Sequence, residues 1–289
     1  MDYWKVMDQN YWEAAWKHAE AQHEARRRLK DKVEAWNKRA QDFEHRTGGG
    51  RGKNRLERIF SFLDTHQVFN SVGSALDLGC GPGEFTLEMA RRGVSVTALD
   101  PAVNMLDILR EKLEAEPPDI RGRVQIVQAD WLDVDLDDLN YRQSFDLVFA
   151  SMSPGVKDGR SLQKTLAASK KYVFISKFAG PRLYPSVAAI LQQERGMDLQ
   201  QVNHMDIIFP FNWLYAGGYK PELSFYSYSR TVSEAPEEAK REIINHIRSF
   251  VEIDDRITEK VSDYVEGHTK DGIFSEDRGA THGMLLTQV

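Results

Sequence analysis

The chain has 289 residues, enough for one large domain or two small ones with a substantial core. Its 41% hydrophobic and 28% charged content is that of a soluble globular protein, and a formal net charge of −6 gives no general attraction to nucleic acid or to an anionic membrane. A single cysteine, Cys80, excludes an intrachain disulfide framework and fits a reducing compartment, and no C-x-x-C or H-E-x-x-H spacing marks a metal site.

The N-terminal residues lack the basic, apolar, small-residue order of a signal peptide, having Asp2, Trp4 and Glu13 where the apolar core should be. No segment approaches the ~20 apolar residues that span a bilayer, so the expectation is a cytoplasmic protein that does not enter a membrane. Residues 1–47 read as helical, with Leu29, Val33, Trp36, Ala40 and Phe43 forming an apolar stripe at alternating steps of four and three. Together with Trp4, Tyr11, Trp12 and Trp16 this stripe wants a partner surface, either the main domain or a second copy in a homodimer. Four glycines in Gly48–Gly52 predict a helix end and a hinge, giving a division into a cap over 1–52 and a main domain over 53–289. Leu56, Ile59, Phe60 and Leu63 mark a short amphipathic helix before the first strand.

From Ala75 the chain alternates strand and helix as a parallel sheet with crossover helices requires. The predicted strands are Ala75–Leu78, Val94–Leu99, Val124–Gln128, Phe145–Ala150 and Tyr172–Ser176, with an amphipathic helix through Val103, Leu106, Leu109 and Leu113 stopped by Pro117-Pro118. Beyond them come a helix near Leu183–Arg195, an irregular aromatic stretch, an alternating strand over Leu223–Val232, helices near Pro236–Val251 and Asp254–Glu266, and a closing strand over Thr281–Val289. The fold class is α/β, a Rossmann-like doubly wound sheet with ligands expected at the carboxyl ends of its strands.

The first strand runs into Asp77-Leu-Gly79-Cys-Gly81-Pro-Gly83-Glu84, a bare backbone followed by a helix start whose free N–H groups face outward. A dinucleotide fingerprint wants a small residue where Glu84 stands, and a pyrophosphate would be repelled by Asp77. A cationic ligand group suits that carboxylate; a purely structural glycine turn is the bland alternative. Asp100, in Ala-Leu-Asp100-Pro101, closes the second strand and can accept from a ribose diol, and Asp130-Trp131 follows the third. Three acids at the ends of three consecutive strands beside a glycine turn form a joint signal that none gives alone.

The turn resembles motif I of the class I S-adenosylmethionine-dependent methyltransferases, and Trp36-Asn-Lys-Arg-Ala-Gln-Asp-Phe43 is similar to the element ahead of motif I in many small-molecule members, such as the ubiquinone/menaquinone-biosynthesis (methyltransferase type 11) group. The resemblance covers about Trp36 to Ser176. It implies a seven-stranded, mostly parallel sheet with helices on both faces, an N-terminal helical cap and a helical insertion before the last strand. It implies S-adenosylmethionine as cofactor and S-adenosylhomocysteine as product. Asp77 is assigned to the cofactor's amino-acid portion, Gly79, Gly81 and Gly83 to the turn, Asp100 and Pro101 to the ribose and Asp130 to the adenine amino group. Met105 and Trp131 become candidates to lie against the adenine.

The fourth strand ends in Ser151-Met-Ser153-Pro-Gly-Val156, where base-modifying amino-methyltransferases carry N/D-P-P-Y/F; the second proline and the aromatic are absent, which disfavours a nucleic-acid acceptor. Ser151 and Ser153 are candidate cofactor or substrate contacts. The expected reaction is methyl transfer to a small-molecule acceptor, held under the cap and the 181–220 and 233–270 segments, with Trp36, Trp213 and Tyr215 as substrate contacts and His204 as a candidate base. The alternatives are a nucleic-acid or protein methyltransferase, a non-catalytic scaffold that binds the cofactor, and a nicotinamide-dependent oxidoreductase.

Overall fold

The apolar runs between Ala75 and Ile175 become the centre of one sheet in the computed structural model, which describes residues 3–26, 32–47, 50–180, 182–199, 206–248 and 250–289. Strands β1 (Ser74–Leu78), β2 (Ser95–Asp100), β3 (Val124–Gln128), β4 (Phe145–Ser151) and β5 (Ser169–Phe178) are parallel, while β6 (Glu222–Glu234) and β8 (Ile273–Gln288) pair antiparallel to one another at the far edge. The order is β3-β2-β1-β4-β5-β8-β6, with a two-residue β7 (Thr269–Lys270) added to β8. The seven-stranded frame stands as expected. Strand order reverses between β1 and β4, which opens the crevice at the carboxyl ends of β1 and β4.

Because alternate strand residues face opposite ways, the sheet builds two apolar layers. Ala75, Leu147, Phe149, Phe174 and Met284 pack against Ile59, Phe60 and Leu63 of α3 (Gly50–Thr65) and Met89 and Ala90 of α4 (Glu84–Arg91). On the other face Leu76, Leu78, Val148, Ile175 and Leu285 meet Trp16 of α1 (Gln9–Arg26), Leu162 of α7 (Gly159–Ala168) and Trp213 of α9 (Ile208–Ala216). The cap is thus welded to the main domain, with Trp16 only 1% exposed and lying parallel to Phe209. Helix α2 (Lys32–Thr47) packs Val33, Trp36, Ala40 and Phe43 on Ala102, Met105 and Ile108, the last two in α5 (Val103–Glu114), and Asn37–Asn104 and Glu44–Lys112 hydrogen bonds tie the two helices. These apolar faces of α1 and α2 are satisfied within the chain.

Several elements differ from the sequence reading. Gly50 and Gly52 lie inside α3, so the expected hinge and the domain boundary at 52 fall in a continuous helix; Leu29, Gly48 and Gly49 lie outside the described residues. Tertiary burial of Ile59, Phe60 and Leu63 outweighs the helix cost of about 1 kcal/mol for each glycine. Pro118 does not merely end α5: it occupies the first turn of a one-turn helix, α6 (Pro118–Arg121), where its missing N–H is harmless. Helix α7 is started by a capping box in which Asp158 accepts from the Ser161 N–H, and the expected irregular stretch contains α9.

Strands β6 and β8 run on past the end of β5, and Phe274 on that extension anchors α8 (Pro185–Arg195), α10 (Pro236–Ile247) and α11 (Asp255–His268) through Ile190, Leu191, Ile243 and Val261. At the opposite, amino end of the sheet Asp146 accepts from the Gly73 and Ser74 N–H groups and pairs with Lys171 at 3.1 Å, stitching β1, β4 and β5. Asp146→Ala is expected to lower stability by about 2 kcal/mol, from the loss of a charged acceptor for backbone donors, while leaving ligand affinity at the carboxyl end unchanged. Thermal melts with and without S-adenosylhomocysteine measure both.

Candidate cofactor site

The three glycines of the turn have separate duties. All have positive φ (68°, 55° and 83° at Gly79, Gly81 and Gly83), a conformation that side chains disfavour. A Cβ at Gly79 would stand 2.7 Å from Ser153 Oγ, and one at Gly83 would collide with the Leu109 side chain. These two glycines therefore exist for packing, one against the β4 loop and the other against α5. Around Gly81 the nearest atom is Phe43 Cε1 at 4.0 Å, so this glycine alone leaves room above the backbone. The Gly81 N–H donates to Asp100 Oδ2 at 3.0 Å, and Asp100 Oδ1 accepts from Ala102 at 2.8 Å. Asp100 thereby fixes the turn to the end of β2 by both its oxygens, each of which keeps acceptor capacity for a ligand. Pro101 follows it, leading into α5.

Asp77 is 2% exposed and faces α4, where Oδ2 accepts from Thr86 Oγ1 at 2.6 Å. Its role differs in kind from the direct contact expected: it is a charge buried beneath the turn. Burial pushes its carboxyl up to about 7, against the lowering hydrogen bond from Thr86, with the nearby Asp100 raising it further. Burial also raises Asp100, against the Ala102 and Gly81 N–H bonds, and the neighbouring Asp130 adds to the rise. Asp130 is half-buried and accepts from the Leu132 N–H at 2.9 Å. Among the described residues none of the three makes a salt bridge. Such a set fits a ligand carrying ammonium and sulfonium charge and repels a phosphate.

The remaining candidates divide. Met105 is buried under Trp36 and Phe43, which places α2 as a roof beside the turn. Trp131 is 2% exposed, its ring in the core with Lys164 Nζ 4.8 Å from the ring centroid, so it supports the site from behind and is not the open adenine platform expected. Ser153 is buried against Gly79, and Ser151 Oγ lies 2.7 Å from Ser176 Oγ and accepts from Arg55 Nη2 at 2.6 Å. Trp213 is 7% exposed core and Tyr215 is exposed, stacked on Phe211, so neither ring faces the turn's roof. His204 lies outside the described residues. Sequence reasoning missed Arg55; a cation one turn ahead of the buried Ile59–Phe60 pair was the available signal.

Residues 75–172 match the family described as a methyltransferase domain. A solved structure assigned to a methyltransferase of Bacillus halodurans C-125 shares the fold at a TM-score of 0.51 and 12% identity, over 81% of this chain and 97% of that one. Residues 75–172 therefore carry a methyltransferase domain, and the glycine turn and the core strands of the sheet lie within it. Among curated relatives, the magnesium-protoporphyrin O-methyltransferase of Rhodobacter capsulatus is 35% identical over 81 residues, 28% of this chain and 35% of the relative. An uncharacterized protein of Haemophilus influenzae is 30% identical over 161 residues, 53% of each. The matches thus span 35% and 53% of these relatives' lengths. No helix among the described residues is long and apolar enough to cross a membrane.

The glycine roles give a direct test. Gly83→Ala is expected to destabilise the protein by about 1–3 kcal/mol, through overpacking against Leu109 and a strained φ. Gly81→Ala meets only the conformational cost of about 1 kcal/mol and should instead lose S-adenosylhomocysteine affinity; denaturant melts and calorimetry separate the two. The Asp77 carboxyl supplies a second. With a folded value near 7 above its ordinary 3.8, its stabilising contribution is full below pH 4 and is lost as pH rises through 7. Asp77→Asn, which keeps an acceptor for Thr86, should flatten the stability profile between pH 4 and 7. It should raise the unfolding free energy of the ligand-free protein at pH 8 by an amount on the order of 2–4 kcal/mol.

Proposed function

We propose that this chain transfers the methyl group of S-adenosylmethionine to a small-molecule acceptor, in the manner of the ubiquinone/menaquinone-biosynthesis group that its motifs resemble. The observation that carries the reading is the ring of three carboxylates at the ends of β1, β2 and β3 around the open backbone of Gly81, with no cation paired to them among the described residues. The cofactor supplies an electrophilic methyl on a sulfonium. Asp100 and Asp130 have acceptor capacity to hold its hydroxyl and amino donors, and Asp77 favours its positive charge from below.

An in-line displacement needs alignment and a dry site more than it needs an acid or base. Trp36 and Phe43 over α5 supply an apolar roof on one side, and the Ser151–Ser153 loop, pressed on Gly79, forms the edge where an acceptor would enter. A small acceptor is favoured by the net charge of −6, which gives no footing for a polyanion, and by the relative named for methylating magnesium-protoporphyrin.

Purified protein should bind S-adenosylhomocysteine in calorimetry and transfer label from methyl-labelled S-adenosylmethionine to pooled small metabolites. Asp100→Ala should weaken binding at least tenfold, about 1.4 kcal/mol, by releasing the turn and removing charge-assisted acceptors. Absence of binding by the wild type would end this reading.

A further inference from the structure

Beyond Ser176 the sheet carries a second group of aromatic and polar side chains, apart from the three carboxylates. Phe178 in β5, His282 in β8 and Tyr226 in β6 are register partners across three adjacent strands, so their side chains share one face. The His282 ring lies 5.0 Å from Phe178, is stacked at 5.1 Å and 9° on Tyr226, and has Tyr228 at 5.8 Å. The result is a shelf of flat rings at the carboxyl edge, two residues along β5 from Ser176, and Ser176 touches Ser151 at the end of β4.

This shelf is polar where it should not be. Tyr226 Oη and His282 Nδ1 are both buried without a hydrogen-bond partner, at a cost of about 1–3 kcal/mol each, and His282 is only 6% exposed. Two guanidinium groups flank the rings. Arg182 stands with Cζ 5.4 Å from the Phe178 centroid, and Arg55, bonded to Ser151, also lies over Phe85 with its Nε buried and unpartnered. Among the described residues neither arginine has a carboxylate within ion-pair distance, in a chain with more acids than bases. Both cations act on His282, burial first and then Arg55 and Arg182 lowering it to about 4, so the ring is neutral and Nδ1 is free to donate or accept according to its tautomer.

We propose that the face formed by Phe178, His282, Tyr226 and Tyr228, between Arg55 and Arg182, is the acceptor site of this enzyme and takes a planar aromatic small molecule bearing an anionic group. The rings stack on the acceptor, the guanidinium of Arg182 pairs with its carboxylate or phosphate, and Tyr226 Oη and His282 Nδ1 bond its polar substituent. Ser151 and Ser176 connect this face to the Gly79–Ser153 contact, which brings the acceptor to the methyl-bearing side of the turn. The inference rests on the methyl-transfer reading but addresses a different set of residues.

The test is calorimetry on the full chain saturated with S-adenosylhomocysteine. The probes are 4-hydroxybenzoate and phenyl phosphate, against the neutral analogues 4-hydroxybenzamide and benzyl alcohol. An anionic probe is expected to bind at least tenfold more tightly than its neutral counterpart, with a preference that weakens in 0.5 M salt; the carboxylate and phosphate arms identify which group is taken. Arg182→Met should abolish that preference with the melting temperature unchanged, and Tyr226→Phe should weaken probe binding several-fold while raising the melting temperature, because it removes an unpartnered buried hydroxyl; both should leave S-adenosylhomocysteine affinity unchanged. Equal binding of anionic and neutral probes, no probe binding by protein that binds S-adenosylhomocysteine, or retention of the preference in Arg182→Met would overturn the assignment. Failure to bind S-adenosylhomocysteine would instead overturn the methyl-transfer reading on which it rests.

Discussion

The structure is organised around negative charge held out of water beneath a turn that has no side chains. Asp77 and Asp100 are 2% and 8% exposed, and a buried carboxylate is costly unless its oxygens are bonded. Here the bonds come from neutral donors, Thr86 Oγ1 and the Gly81 and Ala102 N–H groups, with no salt bridge among the described residues, and burial raises both carboxyls, Asp77 to about 7. The same bonds that tolerate the acids also fix the turn.

That arrangement depends on close packing from three sides. The β4 loop presses Ser153 onto Gly79, with Met152 at φ 57° in the left-handed region, and α5 presses Leu109 onto Gly83. The turn is therefore clamped at both ends and open only in the middle, at Gly81. Helix α2 then places Phe43 beside that opening, held by the Asn37–Asn104 and Glu44–Lys112 hydrogen bonds. A rigid support with a covered centre is what an alignment-driven displacement requires.

Charge is segregated along the carboxyl edge of the sheet. Asp77, Asp100 and Asp130 lie toward β1, β2 and β3, and the guanidiniums of Arg55 and Arg182, which make no salt bridge among the described residues, lie toward β5, β8 and β6. The extension of β6 and β8, braced by α8, α10 and α11 around Phe274, holds the second half of this edge in place. A cationic donor and an anionic acceptor would each find the complementary field.

By itself the sequence determined what local physics controls. Apolar runs of strand length became β1 to β5, the glycines forced a turn where the backbone needs positive φ, and Asp77, Asp100 and Asp130 fell at strand ends because strand length and turn chemistry put them there. Only the tertiary structure decided which side chains meet. Trp131 and Trp213 read as ligand contacts in one dimension, but became core, in one apolar cluster with Leu162 of α7 and Trp16 of α1. Arg55 reaches Ser151 across 96 residues, and His282 meets Tyr226 only through the β6–β8 register. Shifting a strand by one residue turns every side chain to the other face, so sheet register, and not composition, brought Phe178, His282 and Tyr226 together.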